Sequence, residues 1–172
     1  MIDAAGASVL VREATPQEYT EAGRVTAEAY REFVRQGDIA WQEYLDAVAD
    51  VAGRAARTTI LVALHGNRIV GTATLELSAR VEPEDDPSLH PEEAHIRMLG
   101  VHPDDRHRGI ARALMEACFS RARADGKTFM TLHTTHRMHA AQRMYEAMGF
   151  ERLEDRVFSD GFVLLSYRAA IA

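Results

Sequence analysis

What most constrains the fold of this chain is the way its apolar runs change period. In the second half, short and partly β-branched stretches that suit strands are separated by single stretches with helical spacing. A strand, one helix and another strand call for a crossover, and so for some parallel pairing. Other apolar runs are separated only by tight turns, which calls for antiparallel hairpins. Both in one chain point to a twisted mixed sheet of about seven strands flanked by helices.

Along the chain, Ser8 to Glu13 suits a first strand. Thr15, Pro16 and Glu18 read as a helix start: Thr15 caps, Pro16 fits the first turn and Glu18 closes a capping box. Ala22, Val25, Ala29 and Phe33 continue at helical spacing, Gly37 and Asp38 break it, and Trp41, Tyr44, Leu45, Val48 and Val51 suggest a second helix. Thr58 to Leu64 and Arg68 to Ser78 form a hairpin around His65-Gly66-Asn67, followed by an acidic loop over 79–94 with Glu82, Glu84, Asp85, Asp86, Glu92 and Glu93. His95 to Val101 is a strand, Gly109 to Ala124 a helix and Lys127 to His133 a strand. A helix with Met138, Ala141, Tyr145 and Met148 on one face ends at Gly149, and Phe150 to Phe158 and Phe162 to Arg168 are two closing strands. The order is β-αα-βββ-α-β-α-ββ, an α/β (mixed α+β) fold, and residues 1–172 read as one domain.

Hydrophobic residues at 47% and charged residues at 27% suit a globular domain. The net charge of -6 disfavours nucleic acid and anionic membranes as partners. Cys118 is the single cysteine, so no intrachain disulfide can form, and it sits on an apolar helical stripe. Met1 to Ala14 has no basic leader with a long apolar core, and no apolar run has the length of a membrane span, so a cytoplasmic protein is expected.

The chemistry concentrates between His95 and Arg112. A strand ends at Val101, and Arg106-His107-Arg108-Gly109-Ile110-Ala111 opens a helix. Gly109 lets backbone approach a ligand, and the first amides of a helix lack internal acceptors, which with the macrodipole makes an anion site. Arg106, His107, Arg108 and Arg112 stand at the wrong end of that dipole, a cost that a bound polyanion would remove and that Asp104 and Asp105 partly offset. A solvated helix start with chance arginines accounts for the same charges.

Leu99-Gly100-Val101-His102-Pro103 followed by Gly109-Ile110-Ala111 resembles the acetyl-CoA signature of the GNAT superfamily of N-acetyltransferases. Arg106, Gly109 and Ala111 match the three fixed positions of its Gln/Arg-x-x-Gly-x-Gly/Ala pattern, and Tyr145-Glu146-Ala147-Met148-Gly149-Phe150 resembles its second hallmark. The likeness runs from about Glu93 to Arg168.

The resemblance implies an acetyl-CoA-dependent N-acyltransferase acting on a small-molecule or peptide amine by direct attack, with no metal. A non-catalytic acetyl-CoA-binding sensor or interaction module of the same fold is the alternative, and a homodimer is compatible with either. By the resemblance, the cofactor pyrophosphate would rest on the amides of His107, Arg108, Gly109, Ile110, Ala111 and Arg112. The pantetheine arm would lie along Leu99, Gly100 and Val101, where a bulge splays the strand from the next. Tyr145 matches the family's general acid. The base is open between His133, Glu93 and His95, with His133 and Glu93 ranked first. Met138 stands where the family often has an asparagine that supports the cofactor. His133, His136 and His139 have a metal-like spacing but lack a cysteine or acidic partner, so zinc is not expected. The full Gly-x-Gly-x-x-Gly dinucleotide pattern is missing. Tyr30, Phe33, Trp41 and Tyr44 are candidates to line a substrate pocket or simply to pack helix against sheet.

Overall fold

A computed structural model describes residues 9–33, 39–78, 80 and 89–172, with backbone alone at 39 and 40. Ser8, the Gly37-Asp38 break, and Glu82 to Asp86 of the acidic loop lie outside the described residues. The strands are β1 Val9–Glu13, β2 Thr59–His65, β3 Arg68–Glu76, β4 Glu93–Val101, β5 Phe129–Thr134, β6 Glu151–Arg152, β7 Arg156–Val157 and β8 Val163–Ala170. The helices are α1 Tyr19–Tyr30, α2 Ile39–Ala49, α3 Val51–Ala55, α4 Ile110–Ala124 and α5 His139–Ala147. The sheet runs β1-β2-β3-β4-β5-β8-β6, with β7 also paired to β8. Its parallel pair is β4 with β5, the two strands joined through α4; every other pair is antiparallel.

The expected elements stand, with local differences. The capping box before α1 forms: the Thr15 N–H donates to Glu18 at 2.8 Å, and Arg12 grips the same carboxylate with two nitrogens at 2.8 and 2.7 Å. The second predicted helix is two helices. The Asp50 carboxylate accepts the Gly53 N–H at 2.9 Å and starts α3 afresh, although the apolar spacing runs on unbroken. The predicted strand 150–158 is split into β6 and β7 around the Arg152–Asp155 ion pair. Glu93 belongs to β4 rather than to the preceding loop, because it pairs with Phe129.

The two faces of the sheet differ in chemistry. Toward α4 and α5 lies one apolar cluster with Leu61, Leu75, Ile96, Leu114, Met115, Met130, Leu132 and Leu165 at its centre. Toward α1, the β2 side is apolar, with Ala22 and Val25 against Ile60, Val62 and Leu64. From β3 onward that same side carries buried Thr72, Thr74, Glu76, Glu93 and His95. This polar floor is held from above: the Thr26 and Thr72 hydroxyls are 2.6 Å apart, and Arg54 donates to Thr74 at 3.1 Å. Burial lowers the Arg54 guanidinium to about 10.

Candidate active site

The site begins with a bulge. Arg97 pairs with Thr74 and Gly100 with Thr72, so β4 spends one residue more than β3 over the same span. Met98 carries the irregularity at φ 51, which costs a non-glycine residue roughly 1–2 kcal/mol. The extra residue reverses the side-chain alternation. Met98 joins Tyr30, Leu45 and Val48 under α1 and α2, while Leu99 and Val101 turn to the α4 cluster. Gly100 is required where it is: a Cβ there would stand 2.7 Å from the Cβ of Ala29.

β4 and β5 pair only from Glu93–Phe129 to Ile96–Leu132, yet β4 continues to Val101 and β5 to Thr134. Beyond that point the two strands part. The β4 edge of the gap carries backbone groups of Arg97 to Val101, with the Leu99 carbonyl accepting from the Tyr30 hydroxyl at 3.1 Å. Tyr145 approaches from the α5 side, buried against the rings of Phe150 and Tyr167 at 5.8 and 6.0 Å. Burial pushes the Tyr30 phenol up, with the phenols of Tyr44 and Tyr145 adding to the rise. Tyr30 thus lies on the α1 side of the sheet and Tyr145 on the α5 side. Burial also raises Tyr145 well above the ordinary phenol value, with Tyr167 adding. Its proton is retained at neutral pH.

Next to the gap, β4 runs through a tight turn at Pro103–Asp105 into α4. His107 at φ 62 and Gly109 at φ 75 bend this loop. The first amide to return a helical bond is that of Ala113, to the Gly109 carbonyl at 3.0 Å. The amides from Gly109 to Arg112 have no backbone acceptor among the described residues. They sit at the positive end of a 15-residue helix.

The arginines there are less free than the sequence suggests. Arg106 pairs with Glu32, donates to the Ala29 carbonyl at 3.1 Å and reaches the Val101 carbonyl at 3.4 Å, so its side chain ties the loop to α1. Asp105, 1% exposed, takes Arg68 with two bonds of 2.7 and 2.8 Å and Arg108 at 3.4 Å. Arg68 is the main reason its carboxyl lies below the usual range. Arg112 stands exposed, 3.9 Å from Glu116. What the loop offers an anion is chiefly its amides and the field of Arg108 and Arg112.

The candidate bases separate. His133, half-buried near the end of β5, is 3.1 Å from the Ser166 hydroxyl through Nδ1. His95 lies beside it, ring centroids 5.0 Å apart. Glu93 pairs three steps before the strands part, about 10 Å from the gap. It meets the Thr131 hydroxyl, Arg80 and the His90 N–H instead. Thr131 and Ser166 escape a motif search, although Thr131 precedes His133 by two residues on a strand, which predicts a shared face. Tyr30, Phe33, Tyr44 and Trp41 form a chain of edge-on ring contacts at 6.4, 6.0 and 5.5 Å over the same side. Met138 precedes α5 and packs on this aromatic group.

Residues 22–150 match the family model described as "Acetyltransferase (GNAT) family". The chain is 34% identical over 97 residues to the protein named probable N-acetyltransferase family 8 member 5 of Mus musculus, covering 56% of this chain and 40% of that one. It is 27% identical over 135 residues to N-acetyltransferase 8F1 of Rattus norvegicus, covering 74% and 58%. The match thus spans about half the length of these relatives. Among solved structures, a GCN5-related N-acetyltransferase from Rhodopseudomonas palustris superimposes with a TM-score of 0.73 at 18% identity, covering 99% and 98% of the two chains. A Salmonella typhimurium protein solved with its cofactor acetyl-CoA gives 0.69 at 17% identity, covering 95% and 94%.

Proposed function

Because the chain belongs to the GNAT acetyltransferase family, we propose that it transfers an acetyl group from acetyl-CoA to a primary amine by direct attack with both substrates bound. The observation that carries this reading is the parting of β4 and β5 directly beside the unpaired amides that open α4. One end of that groove suits a pyrophosphate, and the gap suits a thin arm threaded between two strands. The fit rests on backbone: amides from His107 to Arg112 for the phosphates, and the β4 edge at Leu99, Gly100 and Val101 for amide groups of the arm. The curated relatives named as N-acetyltransferases support an amine acceptor.

Acetyl-CoA supplies a thioester carbonyl for the amine to attack. The chain's own residues then have three tasks. Backbone N–H groups along the bulged part of β4 donate to the oxygen on which charge develops. An alkyl ammonium, with a pKa near ~10.4, must lose a proton before it attacks, and the role of acceptor is assigned to His133, which follows the last β4–β5 pair on the polar side. Tyr145, kept protonated by burial, donates to the departing sulfur. The tyrosine-lined side under α1 and α2 receives the amine.

Calorimetric titration with acetyl-CoA, with ATP and NAD as controls, tests the site. Micromolar binding of acetyl-CoA alone, lost in Gly109→Val, is expected, since valine at φ 75 would distort the loop. No binding by folded protein rejects the reading. Release of free CoA thiol across a panel of amines then tests turnover; binding without turnover on any amine would assign an acetyl-CoA sensor instead.

A further inference from the structure

The end of α1 is tied to both sides of the parting between β4 and β5. On the β4 side, the Tyr30 hydroxyl donates to the Leu99 carbonyl and Arg106 donates to the Ala29 carbonyl, each at 3.1 Å. On the β5 side the tie is Arg137, which stands in the turn between β5 and α5. Its Nη1 donates to the Phe33 carbonyl at 2.9 Å, across 104 residues of chain. Phe33 closes the helical turn Arg31–Phe33 that follows α1. A carbonyl at such an end lacks a donor from its own helix, and a charged donor meets it strongly.

The same guanidinium lies 5.7 Å from the centroid of the Trp41 ring, within cation–π range. Phe33 and Trp41 stand at the two ends of the chain of ring contacts that runs through Tyr30 and Tyr44. Arg137 therefore touches both ends of that chain. Its own backbone is placed independently. The Met138 N–H donates to the Thr135 carbonyl at 3.1 Å, and the Gln142 side chain donates to the same carbonyl at 2.8 Å. Met138 packs on the aromatic group as well. The position of Arg137 is thus set by β5 and α5, while what it holds belongs to α1 and α2.

We infer that Arg137 is a positioning residue for the acceptor: it clamps the aromatic side under α1 and α2 onto the β5–α5 turn and so sets where the amine rests relative to the gap. The inference rests on the acetyltransferase reading for what binds there; the clamp itself is a matter of geometry. Arg137 acts through Phe33 and Trp41 rather than on the reacting atoms. Loss of the clamp should weaken the acceptor in the ground state and the transition state alike, which raises KM and spares kcat. The carbonyl and ring that Arg137 holds are apart from the loop amides and the β4 edge proposed for acetyl-CoA, so donor affinity should not change.

Trp41 is the one tryptophan of the chain, so its emission reads the clamp with no ligand present. Arg137→Met keeps the apolar stem and removes the donor and the charge. In that variant the acrylamide quenching constant of Trp41 should rise. Arg137→Lys, whose ammonium can meet the same carbonyl, should restore it. The bonds that hold the turn are made by Met138, Gln142 and Thr135, so both variants keep it. With an amine found by the thiol-release panel, Arg137→Met should raise the acceptor KM about tenfold and change kcat by less than about twofold. Arg137→Lys should recover the KM, and calorimetry should give wild-type acetyl-CoA affinity for both. Unchanged quenching in Arg137→Met overturns the inference, as does a fall in kcat at unchanged KM. A loss of acetyl-CoA affinity overturns it by making Arg137 a donor ligand. A rise in KM confined to acceptors that bear a carboxylate overturns it by making Arg137 a direct substrate ligand. Absence of acetyl-CoA binding by the wild type rejects the functional reading separately, since the quenching is read without ligand.

Discussion

At the scale of single residues, burial gives Tyr145 and Arg106 parts that their side-chain types alone do not specify. Tyr145 is packed like a core residue, and burial holds its phenol protonated. Tyr145→Phe retains the packing and removes the hydroxyl proposed as the proton donor. It should lower kcat by about 100-fold or more and leave acetyl-CoA affinity unchanged in the same calorimetric titration. Arg106 occupies a fixed position of the motif, and its guanidinium is spent on Glu32 and two carbonyls. Arg106→Ala should weaken acetyl-CoA several-fold by loosening the loop, and the loss should depend little on salt. A steep salt dependence of the wild-type affinity that vanishes in the variant would make Arg106 a direct phosphate ligand instead.

At the scale of elements, α1 is held by its start and by its close approach to β4. Arg12 and the Thr15 amide draw the Glu18 carboxyl down to about 2. A carboxyl lowered on folding adds stability above its unfolded value, near ~4.3, and that stability is lost as pH falls through the folded value. The acid-dependent loss from this group thus lies between about pH 4.5 and 2. Glu18→Ala should cost about 1 kcal/mol at neutral pH, because the pair is only partly buried, and the gap between variant and wild type should close in denaturant melts toward pH 2. Gly100→Ala brings a methyl to within 2.7 Å of the Ala29 Cβ and should cost about 1–3 kcal/mol in the same melts as α1 is pushed off the sheet.

At the scale of the whole molecule, one mixed sheet separates an apolar side under α4 and α5 from a half-polar side under α1 and α2, and the gap between β4 and β5 connects them. The loop that opens α4 and the histidines of β4 and β5 are joined by this one sheet, so on the proposed function ligand binding and stability should be linked. Acetyl-CoA at about 100 times its Kd should add about 2.7 kcal/mol and raise Tm by roughly 5–10 °C. ATP at the same concentration should not. No helix among the described residues is long and apolar enough to cross a membrane.

The sequence by itself determined what is local or periodic. The capping box of Thr15 and Glu18, the apolar stripe of α4 and the helix start at Gly109 can be read because each depends on neighbours within a turn or two. The order of strands and single helices likewise fixed the mixed sheet. Only the tertiary structure decided where β4 bulges. Met98 has no chain neighbour that demands φ 51; the conformation follows from the mismatch between Arg97–Thr74 and Gly100–Thr72 on the adjacent strand. It also decided which charges are engaged. Arg106 meets Ala29 and Glu32, 77 and 74 residues away, Arg68 meets Asp105, 37 away, and Glu93 meets Thr131, 38 away, contacts that form only once the sheet has closed. Periodicity encodes which face a residue takes, but ion pairs and hydrogen bonds across that face are set by strand register, which no local pattern carries.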